Sequence, residues 1–165
     1  MRRLGILVGA FVLALPVVLA SSSPAFATRG DGWELLPAEP FDLSVCGTNM
    51  HFEFPANMEY ARIATLGGVE ILQVTGSLFV TITNTDTGQS LTVSISGPGL
   101  SPLTTPQFNA RGVNLIFLSP EDAATNGTPE LFLSAGYIVF LFTDTGVILQ
   151  RLNGKVISDL CAALT

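Results

Sequence analysis

The sequence predicts an all-β protein: a single antiparallel meander of about eight strands, closed into a barrel or folded into a sandwich and held by one disulfide. Three observations carry this. Short apolar runs alternate with turn residues at a spacing of roughly ten residues, the pattern of sandwiches and barrels. Within several runs the side chains alternate apolar and polar with period two, which places one face of a strand on a core. Amphipathic periodicity of helical length is hard to find.

Ahead of the β-region, residues 1–27 read as a secretory signal peptide. Arg2 and Arg3 supply the basic start and Leu4 to Ala20 the apolar run, interrupted by Pro16. Ala25-Phe26-Ala27 places small residues at the two positions that signal peptidase inspects, so cleavage falls before Thr28. No Cys follows the cut, which argues against a lipoprotein. The expected localisation is secreted, either extracellular or associated with the cell envelope.

Residues 28–40, with Gly30, Gly32, Pro37 and Pro40 around Trp33, Leu35 and Leu36, read as an irregular segment that docks on the body. Residues 41–165 form the β-domain. Met50, Phe52 and Phe54 share one face with His51 and Glu53 on the other. Leu78, Val80 and Ile82 repeat the pattern, as do Leu91, Val93 and Ile95. Between these last two strands, Asn84 to Gln89 is a turn rich in residues that tolerate positive φ, and it predicts a β-hairpin. Residues 101–109 read as a loop, Val113 to Leu118 as a strand and Pro120 to Pro129 as a second polar loop. Leu131 to Phe142, broken at Gly136, precedes a turn at Thr143 to Gly146 and the strands Val147 to Arg151 and Lys155 to Ser158. The run Tyr137 to Phe142 is apolar throughout and is expected to be buried on both faces. One such run is too little for a membrane barrel, which repeats alternating spans along its whole length.

Composition narrows the partners. Cleavage would leave 138 residues, enough for one domain with a sizeable core. The full chain has a formal net charge of −6, and losing Arg2 and Arg3 takes it to −8. No basic stripe is available to neutralise phosphates, so nucleic acid is excluded and anionic membrane surfaces are disfavoured. Cys46 and Cys161, near the two ends of the mature chain, read as one disulfide in an exported protein. They lack the Cys-x-x-Cys spacing of redox and metal pairs, and His51 is the single histidine, so no metal or cofactor is expected.

Two Asp-Thr-Gly tripeptides, Asp86-Thr87-Gly88 and Asp144-Thr145-Gly146, evoke the paired loops of aspartic proteases. They stand only 58 residues apart, and Thr rather than an apolar residue precedes each, so both read as hairpin turns. His51 lies between Met50 and Phe52 on an outward face, and no Gly-x-Ser-x-Gly elbow presents a nucleophile. Glu121, Asp122 and Asn126 lack the spacing of calcium ligands. Asn126-Gly127-Thr128 is a glycosylation sequon weakened by Pro129. Thr81 and Thr83 with Ser94 and Ser96 form a polar outer face.

Cys46-Gly47, the stretch Leu78 to Gly99 with its Thr-Asn-Thr-Asp-Thr-Gly-Gln-Ser and Ser-Gly-Pro-Gly segments, and the ending Gly154 to Leu164 together resemble a family of small secreted actinobacterial β-proteins that has no assigned function. The resemblance spans nearly all of the mature chain. It implies an exported protein of a Gram-positive bacterium, framed by a terminal Cys pair, and it brings no catalytic residues.

These readings lean away from an enzyme and toward a secreted binding or interaction module whose partner is an apolar small molecule or a protein, with no stable membrane insertion after cleavage. Phe108, Phe117, Phe132, Phe140 and Phe142 are first of all core residues, and in a barrel they could surround an apolar ligand. The alternative is a carboxylate-dependent hydrolase or isomerase in a barrel mouth, with Glu53, Glu59 and Glu70 as candidate groups. An apolar pocket without a carboxylate would favour carriage, and a carboxylate inside it would favour chemistry.

Overall fold

A computed structural model describes residues 28–29, 31–143 and 146–165. Residues 1–27, read above as a signal peptide, and Asp144 and Thr145 of the second Asp-Thr-Gly tripeptide, read above as a turn, lie outside the described residues. Ten described strands form one antiparallel sheet: β1 (Thr28–Arg29), β2 (Trp33–Leu35), β3 (Phe41–Val45), β4 (Thr48–Leu66), β5 (Val69–Asn84), β6 (Ser90–Ser96), β7 (Gly99–Pro102), β8 (Gln107–Phe117), β9 (Leu131–Thr143) and β10 (Gly146–Asp159). The sheet order is β1-β2-β4-β5-β6-β8-β9-β10, with β3 beside β4 and β7 bridging β5 and β8. The all-β meander expected from the alternation is present.

Period-two patterning does what it predicts. Met50 and Phe52 from β4, Val80 and Ile82 from β5, and Phe117, Leu131 and Leu133 from β8 and β9 make one buried cluster. Phe41 stacks on Phe52 with ring centroids 4.5 Å apart. A second cluster lies on the opposite face of β8 to β10, where Ile116, Phe132, Ile138 and Phe140 pack with Leu118 and Ala123. Strands β8 and β9 are therefore covered on both faces around residues 116–117 and 131–133. In the apolar run from Tyr137 to Phe142 the central Ile138, Val139 and Phe140 are buried while Tyr137, Leu141 and Phe142 are half-buried.

Several expectations need correction. Residues 28–40 are not wholly irregular, because β2 pairs with β4 through Glu34 opposite Ala61 and Leu35 opposite Tyr60. Pro120–Asn126 is a helix, α1, rather than a loop. Ser119 caps it by accepting from the Asp122 amide, Pro120 opens it, and Gly127 closes it in the left-handed region at φ 63°. Seven residues are too few for helical periodicity to show. Part of 101–109 is strand as well, and Gly136 does not interrupt β9.

The region least legible in the sequence is the long β4–β5 hairpin. Its tip is the two-residue turn Gly67-Gly68, with φ of 59° and 83°, which suits the twist of a hairpin. Pro55 fits within β4 because the register slips between Glu53 and Ala56, a bulge that needs no amide from proline.

Along one row of the sheet, facing backbones come into direct contact. Gly112 stands opposite Gly136, which stands opposite Gly154. A Cβ on Gly136 would sit 2.6 Å from the Gly154 Cα, and one on Gly154 would sit 2.7 Å from the Ala135 carbonyl oxygen. A Cβ on Gly97 or Gly112 would overlap the backbone of the facing strand. Only glycine permits this close approach of facing backbones.

Cys46 and Cys161 are disulfide-bonded with Cα atoms 5.5 Å apart, inside the range the bond permits. The bond does not join two neighbouring strands, as a direct link between first and last core strands would require. Cys46 instead occupies the β3–β4 turn at φ 57°, with its amide donating to Glu130 Oε2 at 2.9 Å. Cys161 lies in a terminal helix, α2 (Leu160–Leu164), whose Leu160 and Leu164 plug the first core cluster. The disulfide thus fastens this plug to the turn beside it.

Candidate functional site

Strands distant in sequence surround a cleft of about 630 Å³. Strands β4 and β5 supply Ala61, Ile63, Leu72 and Val74, while β8 and β9 supply Phe108, Ala110, Phe140 and Phe142. Further walls come from β6 and β7, with Ile95 and Ser101, and from the segment 32–38, with Leu35, Leu36 and Pro37. That segment is held in place by more than the short β2 ladder. The Leu36 amide donates to the Glu59 carbonyl at 2.8 Å, and the Asn57 side chain donates to the Leu36 carbonyl at 2.6 Å.

The volume falls in the range of roughly 300–1,000 Å³ typical of small-molecule sites, and the lining is predominantly apolar as such sites are. Ile63 is both a lining residue and 62% exposed. The exposed Leu66 and Val69 flank the hairpin tip just beyond it, and Leu103 is tied beside them by its amide to the Glu70 carbonyl at 2.9 Å. Ile63 therefore carries apolar surface from solvent into the cleft, while strand alternation turns Leu66 and Val69 to the opposite face.

Charge enters the lining through Glu34, Glu59 and Arg62. Strand alternation puts Glu59 on the same side as Ala61 and Ile63. Burial pushes its carboxyl above the usual range, and no charge among the described residues offsets the lost hydration. Arg62 is already engaged: its Nε donates to Gln73 Oε1 at 2.8 Å, and its guanidinium lies 4.5 Å from the centre of the Trp33 ring.

The structure sorts the residues singled out from the sequence. Of the three candidate carboxylates, only Glu59 reaches the cleft. Glu53 is exposed on the outer face, 3.5 Å from His51 Nε2, and Glu70 is exposed near the hairpin tip. Phe108, Phe140 and Phe142 line the cleft, Phe140 also belonging to the second core cluster, whereas Phe117 and Phe132 lie in the core clusters alone.

Asp86 is a turn residue, its Oδ2 accepting from the Thr48 hydroxyl at 2.6 Å and the Asn49 amide at 3.3 Å, and these bonds hold its pKa below the ordinary value. His51 contacts Asp42 at 2.6 Å through Nδ1, and that bond, with the nearby negative charge of Asp42 and Glu53, raises its pKa. Its second nitrogen faces a carboxylate rather than a hydroxyl, which is not the arrangement of a nucleophile and its base. Ser119, Asp122 and Asn126 spend their polar groups on α1. Thr81 with Thr92, and Thr83 with Ser90, hydrogen-bond across strands.

Sequence reasoning missed Glu34, Trp33 and Arg62. The available signal was the alternation of Glu59, Ala61 and Ile63 against Met58, Tyr60 and Arg62, which marks a carboxylate on the apolar side of a strand.

Fold and site together define an all-β protein with a disulfide-anchored helical plug and an open apolar cleft bearing one half-buried carboxylate. Compared with protein-family models, with curated proteins and with solved structures, the chain matches none.

Proposed function

We propose that this is an exported binding protein that carries an apolar small molecule in the cleft between the N-terminal segment and the β4, β5, β8 and β9 walls. The single observation that supports it most is the cleft itself, of about 630 Å³, with an apolar lining that includes the exposed Ile63. Apolar surface held open in this way gains stability when a hydrophobic ligand displaces its water. Export is supported by the N-terminal segment and by the disulfide, which persists in oxidising compartments.

Glu59 supports a second reading, a hydrolase or isomerase that uses this carboxylate. General acid–base chemistry needs a partner group placed on the reacting atoms. Here the neighbouring charges are Glu34 and an arginine held by Trp33 and Gln73, so binding remains the leading reading.

Native mass spectrometry of protein purified from its host's culture medium tests the proposal. A retained small-molecule adduct is expected, and Ala61→Trp, which fills the cleft, should abolish it. A bare polypeptide mass together with no uptake of a neutral apolar dye would overturn the reading. Turnover of a captured molecule, lost in Glu59→Gln, would shift the conclusion to the enzyme.

A further inference from the structure

We infer that the occupant of the cleft is an amphiphilic amine, a molecule with an apolar body and a protonated nitrogen that docks on the Glu59 carboxylate. This rests on the cleft being the binding site and adds the polarity of what it binds. The walls from β5, β7, β8 and β9 contribute uncharged residues, and charge comes from the β2–β4 side alone, as Glu34, Glu59 and Arg62.

The arginine does not balance the two carboxylates for a ligand, because its guanidinium is drawn onto Trp33 and its Nε onto Gln73. A ligand carboxylate would meet two groups of its own sign. An alcohol would gain one neutral-donor hydrogen bond. An ammonium would gain a charge-assisted bond at a site of reduced solvation, where such bonds are strongest. Burial already disfavours the ionised form of Glu59, no charge among the described residues compensates it, and an incoming cation supplies that charge. The net charge of −6 adds attraction at longer range.

The test uses the mature, disulfide-bonded protein loaded with Nile red, a neutral apolar dye. Decylamine, decanol and decanoate, kept below their micelle concentrations at pH 7, compete for the dye. Decylamine should displace it at a concentration roughly tenfold below decanol, the scale of one hydrogen bond to a charged group, and decanoate should be poorest. Glu59→Gln should bring amine and alcohol to the same concentration. Glu121→Gln, an exposed carboxylate on α1, should leave the amine preference intact. Dye that binds but is displaced equally by amine and alcohol, or a preference that survives Glu59→Gln, overturns the amine inference and leaves apolar carriage standing. Failure of the dye to bind at all overturns both.

Discussion

Asn84 shows how much one buried polar side chain can organise. It is 1% exposed, and its Oδ1 accepts from the Thr48 hydroxyl and from the Asp86 and Thr87 amides while its Nδ2 donates to the Leu164 carbonyl at 2.8 Å. One residue therefore shapes the β5–β6 turn and clamps the C-terminal plug. Asn84→Ala should cost roughly 2–3 kcal/mol, because several partners are left without a hydrogen bond, and a shifted urea midpoint would register it. Glu59 carries the opposite sign. Its folded pKa is raised above the ordinary 4.5, so its contribution to stability is present below the unfolded value and is lost as pH rises through the folded one. At neutral pH the buried charge is a cost. Glu59→Gln should accordingly raise the urea midpoint at pH 7 and change it little at pH values below the unfolded pKa.

Among the elements, the glycine row is the most demanding. Gly136→Ala combines a φ of 137° with a Cβ placed against the Gly154 backbone, and neither strand has room to give. Loss of about 3 kcal/mol or more, or failure to fold, is expected in a denaturation series. Gly88→Ala, at φ 77° in an open turn, should cost only about 1–2 kcal/mol. The strands with clean alternation, such as Leu78 to Ile82 and Leu91 to Ile95, were legible because one face meets the core and the other meets water. The β4–β5 hairpin beyond Phe54 was not, since one of its faces borders a cleft and tolerates Glu59 among apolar residues. Helix α1 escaped notice because its evidence is capping chemistry rather than periodicity.

For the molecule as a whole, the disulfide closes a separation of 115 residues and fastens α2 against the β3–β4 turn. In the chain-entropy account a loop of that length stabilises the fold by roughly 4–5 kcal/mol, and Cys46→Ala/Cys161→Ala should lower stability by about 2–5 kcal/mol. Hydrogen exchange should then show α2 and the β3–β4 turn opening together, because they share the bond and the Leu160 and Leu164 core contacts. If exchange rose instead along the β9–β10 ladder alone, the plug would not depend on the staple.

By itself the sequence determined the all-β class, the hairpin at Asn84 to Gln89, the disulfide partners and the turn role of Asp86. Each of these follows from local chemistry: alternation, turn residues, and an even pair of cysteines near the ends of one domain. The tertiary structure alone decided that residues 32–38 become a wall, that a row of glycines lets facing backbones touch, and that Glu59, Phe108, Phe140 and Phe142 meet around one cleft. These residues lie on strands distant in sequence, and only the folded sheet brings their faces together. A side chain that lines a cleft and one that fills a core obey the same alternation, so no pattern along the chain could separate them.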